Sequence, residues 1–124
     1  MATKKILVVE DNEDTREILL YRIRRMGNYE VLLAAHGKEA LEIAGRSPPD
    51  LIIMDLKMPV LDGWETTRAL RQTDWGKDLP VIALTAQAME RDEEKALSAG
   101  CNDYIAKPII DYKILQIKIE KFLK

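Results

Sequence analysis

Three aliphatic runs, Ile6-Leu7-Val8-Val9, Leu51-Ile52-Ile53-Met54 and Val81-Ile82-Ala83-Leu84, recur along the chain with helix-period stripes between them. A strand with no polar alternation has no face to show to water, so both faces are buried. Parallel sheets with helices on both sides meet that requirement, and their crossovers are right-handed. A length of 124 residues allows one such domain around one core.

Lys5 to Glu10 reads as the first strand. A segment from about Asn12 to Met26 follows, with Ile18, Leu19, Ile23 and Met26 in a helical stripe, and Gly27-Asn28 ends it. Glu30 to Ala35 is a second strand, and a short helix with Ala40, Leu41 and Ala44 comes next. Ser47-Pro48-Pro49-Asp50 breaks the chain before the third strand, Leu51 to Asp55. Lys57 to Gly63 forms a loop, a helix runs from about Trp64 to Gln72, and Pro80 heads the fourth strand, Val81 to Thr85. A helix through Met89 to Ala99 closes at Gly100, which suits a left-handed C-terminal position. The fifth strand is Asp103 to Ala106, and Lys107-Pro108 leads into a last helix. Five strands alternate with five helices, an α/β pattern.

Composition excludes several functions. A formal net charge of −2, from 19 basic and 21 acidic residues, provides no field for gripping nucleic acid. Arg22, Arg24 and Arg25 are the only tight basic group and read as the wet face of a helix. No apolar stretch approaches a membrane span, and the N-terminal pattern is not secretory, so the expected location is cytoplasmic. The single cysteine, Cys101, and the single histidine, His36, lie in different segments, so Cys101 reads as a packed residue rather than a nucleophile. Trp64 and Trp75 read as packing anchors.

Two of the aliphatic runs stop on acids: Val9 runs into Glu10-Asp11, and Met54 into Asp55. In an open parallel sheet, ligands bind beyond the carboxyl ends of strands at a topological switch point, which gathers Glu10, Asp11, Asp55, Thr85 and Lys107 at one edge. Carboxylates crowded at low dielectric repel unless a cation or proton joins them. The set suits a hard, oxygen-coordinated ion such as Mg2+ with a bound anionic group. Asp55 is then a candidate nucleophile for an acyl phosphate, with Lys107 neutralising phosphoryl charge and Thr85 donating a hydrogen bond.

Val9-Glu10-Asp11-Asn12, Asp50 through Asp55, Met58-Pro59 with Asp62-Gly63, Leu84-Thr85-Ala86, and Tyr104-Ile105-Ala106-Lys107-Pro108 stand in an order and spacing that resembles the response-regulator receiver domain of two-component signalling. The resemblance covers essentially the whole chain, as one domain over 1–124. It implies a doubly wound, flavodoxin-like (βα)5 fold with a five-stranded parallel sheet in strand order 2-1-3-4-5. It implies that Asp55 receives a phosphoryl group from a phosphohistidine on a sensor histidine kinase or histidine phosphotransfer protein. It further implies that Asp11, Asp55 and the backbone carbonyl of Lys57 hold Mg2+ directly, with Glu10 acting mainly through water. Lys107 would pair with phosphoryl oxygens across a cis bond to Pro108. Thr85 and Tyr104 would be the switch pair, relaying the change to the surface of the fourth helix, fifth strand and fifth helix. Such a protein is not an enzyme toward other substrates and catalyses only its own phosphorylation and dephosphorylation.

At about 100° per residue, Leu115, Ile119, Phe122 and Leu123 cover the sheet, while Ile110, Ile114 and Ile117 fall roughly opposite. That second stripe reads as a docking or homodimer face for an unidentified downstream protein or a second copy. A phosphatase using an aspartyl phosphate would place an acid two residues after the nucleophile, where Lys57 stands. A flavodoxin-like cofactor binder would not present Glu10-Asp11-Asn12-Glu13-Asp14 to a phosphate. The alternative function is a receiver-like protein-binding module that phosphorylation does not regulate.

Overall fold

A computed structural model describes residues 3–56, 62–85, 94, 97–107, 109 and 111–123. Five strands form one parallel sheet: β1 (Lys4–Val9), β2 (Tyr29–Ala34), β3 (Leu51–Asp55), β4 (Val81–Thr85) and β5 (Asp103–Ala106). Their spatial order is β2-β1-β3-β4-β5, as the resemblance implied. Helices α1 (Glu13–Arg24), α2 (Gly37–Arg46) and α3 (Gly63–Arg71) follow the first three strands, and a C-terminal helix spans Tyr112–Leu123. Of the helix expected through Met89 to Ala99, residues 89–93 and 95–96 lie outside the described set. Residues 97–99 are helical and Gly100 closes them at φ 110°.

Alternation along each strand sorts the core into two layers. Ile6, Val8, Leu51, Ile53, Ile82 and Leu84 pack against Leu19 and Ile23 of α1 and Leu115 and Ile119 of the C-terminal helix. Leu7, Val9, Ile52, Met54, Val81 and Ala83 face the other way, onto Ala40 and Ala44 of α2 and Leu70 of α3. Each fully buried aliphatic side chain contributes about 1.5–3 kcal/mol, so the sheet is a rigid platform. Ile18 departs from the expected stripe: it is 48% exposed, because the buried seam of α1 runs through Leu19 and Ile23. Cys101 is buried, and Trp64 and Trp75 pack against the second layer, as expected.

Strand ends differ from expectation by one residue, and that residue matters. β1 ends at Val9 and β2 at Ala34, because the Glu10 amide turns to donate to the Ala34 carbonyl at 3.0 Å. Glu10 is thereby the first residue beyond the strand.

Candidate functional site

Register brings the acids together. Val9 pairs with Met54, so Glu10 and Asp55, one residue further on each chain, stand side by side. Asp55 pairs with Leu84 and Thr85 with Ala106, which steps Thr85 and then Lys107 along the same edge. The Lys107 amide donates to the Thr85 carbonyl at 2.6 Å and fixes the end of β5. Helix termini complete the frame. Asn12 caps α1 by accepting from the Thr15 amide at 2.9 Å, and Asp62 caps α3 by accepting from the Glu65 amide at 2.8 Å.

Glu10 is fully buried and Asp55 3% exposed, while Asp11 faces solvent. One carboxylate oxygen from each of the three lies within 4.8 Å of the others. Lys107 Nζ sits 2.7 Å from Glu10 Oε1 and 3.3 Å from Asp55 Oδ2. The ammonium is therefore shared between the two acids and lies nearer Glu10. Glu10 Oε1 accepts directly from Lys107. Glu10 Oε2 is buried and finds no hydrogen-bond partner among the described residues. Burial, then the neighbouring Asp55, pushes the Glu10 carboxyl up to about 8 against the lowering effect of Lys107. Burial works against the charge of Lys107, but its hydrogen bond to Glu10 and the field of Asp55 and Glu10 outweigh that and raise it. An orphaned buried carboxylate oxygen within a cluster of three acids fits a hard divalent cation.

Thr85 is buried, and its hydroxyl has no hydrogen-bond partner among the described residues. Tyr104 is half-buried and packs against the layer that contains Leu70 and Ala83. Ile114 and Ile117 are 48% and 66% exposed, as the opposite stripe required. Beside them Lys118 bridges to Asp103 of β5 at 2.8 Å. Lys57, Pro108 with its proposed cis bond, and Ile110 lie outside the described residues.

Two contacts escape a sequence reading. Arg16 Nη1 donates to the Glu10 carbonyl at 2.8 Å and the Asp11 carbonyl at 3.4 Å, so a helix side chain reaches back to hold the acid loop. Gly63 lets α3 begin directly beneath Asp55: its amide donates to the Leu56 carbonyl at 3.0 Å. A Cβ there would fall 2.4 Å from the Asp55 carbonyl oxygen. The only signal for the first is a basic residue one turn into the helix after the acids, and for the second the Asp62-Gly63 pair.

Residues 6–119 match the family model of the response regulator receiver domain. The chain belongs to that family. It is 42% identical over 106 residues to the polar-differentiation response regulator DivK of Brucella anthropi, covering 86% of this chain and 85% of that one. Among solved structures it resembles the receiver domain of the sensor histidine kinase PA1611 from Pseudomonas aeruginosa. That likeness has a TM-score of 0.89 and 41% identity over 98% of each chain, and that structure has a magnesium ion coordinated in its active-site cleft. It also resembles the receiver domain of the response regulator Ssk1 of Saccharomyces cerevisiae in complex with the phosphotransfer protein Ypd1, with a TM-score of 0.88 and 33% identity over 97% of this chain and 88% of that one. This receiver domain is thus a phospho-accepting switch of two-component signalling, a signalling module rather than a classical enzyme. Among the described residues no helix is long and apolar enough to cross a membrane.

Proposed function

We propose that Asp55 is the phosphoryl acceptor of this receiver, and that Glu10, Asp11 and Asp55, with the backbone carbonyl of Lys57, hold Mg2+. The observation that carries this reading is the meeting of three acid oxygens within 4.8 Å with the Lys107 ammonium 3.3 Å from Asp55. A carboxylate oxygen of Asp55 attacks phosphorus, the P–N bond of a phosphohistidine or the P–O bond of a small acyl phosphate breaks, and an aspartyl phosphate forms. Bound Mg2+ supplies positive charge to the phosphoryl oxygens. Lys107 supplies the second cation, anchored through the backbone bond between its amide and Thr85.

The domain catalyses its own phosphorylation and dephosphorylation and no reaction on other substrates. Thr85 carries a hydroxyl ready for a new acceptor, since it has none among the described residues. Its turn toward the phosphoryl group, with Tyr104 moving inward, alters the surface formed by β5 and its flanking helices. The donor is a sensor histidine kinase or a histidine phosphotransfer protein in the cytoplasm. A cavity of about 400 Å3 beside Lys107, lined by Ile18, Leu84, Ile109 and Tyr112, offers an apolar seat to that donor. Exposed Ile114 and Ile117, with Ile110, form the output or homodimer face.

Intact mass after incubation with acetyl phosphate and Mg2+ tests the acceptor. The parent protein is expected to gain one phosphoryl group and Asp55→Asn none. A gain in both, or in neither, refutes the assignment.

A further inference from the structure

At the end of the sheet opposite the acids, one guanidinium ties three segments together. Arg71, the last residue of α3, donates from Nη1 to the carbonyls of Gly76 at 2.7 Å and Leu79 at 2.6 Å. Its Nε and Nη2 reach the Gly100 carbonyl at 3.1 and 2.7 Å, and Nη2 also reaches Asn102 Oδ1 at 2.9 Å. The same Asn102 Oδ1 accepts from the Val81 amide at 2.8 Å, while the Asn102 amide donates to the Val81 carbonyl at 2.8 Å. Gly100, at φ 110°, lets the backbone lie against the arginine stem: a Cβ there would stand 3.0 Å from Arg71 Cγ. The clamp therefore joins the residues ahead of β4 to those ahead of β5.

β5 needs such a clamp. It has four residues, lies at the edge of the sheet and, among the described strands, pairs with β4 alone. Its far end carries Lys107, whose ammonium must stand at Glu10 and Asp55. Glu10 and Asp55 instead follow β1 and β3, which have sheet neighbours on both sides.

We propose that Arg71 is a positioning residue for Lys107: by seating Gly100 and Asn102 on the α3–β4 connection, it holds the register of the edge strand that presents the ammonium. The proposal rests on the role given to Lys107 above. Only a planar fork with five donors serves these acceptors together, so a lysine does not replace it.

The test compares the parent protein with Arg71→Gln, Arg71→Lys and Asn102→Ala, the last a milder cut should the arginine variants fail to fold. Amide exchange at 103–106 is expected to quicken at least tenfold with β1 and β3 unchanged. The rate of Asp55 phosphorylation by acetyl phosphate is expected to fall about tenfold, while Mg2+ affinity by calorimetry stays within twofold of the parent. Arg71→Lys is expected to stay close to Arg71→Gln. Unchanged exchange in β5 overturns the proposal, as does a loss of Mg2+ affinity in proportion to rate, which marks general support of the fold. Fast exchange in β5 with a parental rate also overturns it. Lys107→Ala, measured in parallel, separates the two claims: if its rate is parental, the fault lies in the role given to Lys107.

Discussion

Gly63→Ala puts the tightest approach in the site to a quantitative test. The added methyl would lie 2.4 Å from the Asp55 carbonyl oxygen, 2.7 Å from Leu56 Cα and 3.0 Å from Leu56 Cδ2. Ordinary carbon–oxygen contacts begin near about 3.3 Å and carbon–carbon contacts near about 3.5 Å, so two backbone atoms are overlapped by nearly 1 Å. Backbone cannot rotate aside as a side-chain tip can. Relief comes only if α3 retreats from the end of β3, which strains the bond between the Gly63 amide and the Leu56 carbonyl. Overpacking of this kind costs about 1–3 kcal/mol, and a weakened hydrogen bond about 1 kcal/mol. Alanine returns less than about 1 kcal/mol of helix propensity. The expected net loss is about 2–3 kcal/mol, or roughly 10 °C in Tm for a chain of this size. Urea unfolding with and without Mg2+ measures the loss. Because Asp55 must shift, phosphorylation by acetyl phosphate should fall at least tenfold as well. Gly45→Ala is the control: its Cβ meets only Trp75 Cζ2, at an ordinary 3.6 Å, and the change should stabilise α2 by about 0.5–1 kcal/mol. A Gly63→Ala variant within 0.5 kcal/mol of the parent in stability, with unaltered phosphorylation, would refute the reasoning, the threshold being about the scatter of surface substitutions.

Two further outcomes follow from the buried polar groups. With its carboxyl raised from 4.5 to about 8 in the metal-free protein, Glu10 holds a proton when folded and loses it when unfolded across that window. The folded state binds more protons there, so its stability should fall as pH rises from 4.5 toward 8 in chelator. Mg2+ should displace the proton, and its affinity should climb with pH and level off above about 8. A pH-independent Mg2+ affinity by calorimetry would contradict this. Thr85→Val removes a buried hydroxyl without a partner among the described residues, so stability should rise by about 1 kcal/mol while the phosphorylation-induced change in partner binding is lost. A destabilised variant in urea unfolding would show that the hydroxyl is satisfied in the resting state.

The acids were legible in the sequence because each ends an uninterrupted aliphatic strand, and the doubly wound order puts such ends at one edge. The buried stripe of the C-terminal helix was legible for the same reason: Leu115 and Ile119 are buried, and Ile114 and Ile117 exposed. Ile18 misled the reading, since a position at the margin of a helical stripe is set by the partner surface and not by spacing. Arg16 and Arg71 were silent because a long side chain that bonds backbone carbonyls leaves no periodic trace. The direct bond between Glu10 and Lys107 depends on the turn after Val9, a matter of one residue at a strand end, where sequence pattern is weakest.

Glu10 and Lys107 are 97 positions apart in the chain, yet they share a hydrogen bond. An acid buried this deeply must either hold a proton or meet a counter-ion, and that counter-ion arrives with β5, made after the other four strands. Until β5 docks, the rest of the sheet bears an uncompensated charge or a captured proton at its edge. Closing that long loop late adds to the entropic cost of assembly. A chain halted before β5 lacks the Lys107 ammonium that lowers the Glu10 carboxyl, so its central strands hold the captured proton more tightly until β5 docks.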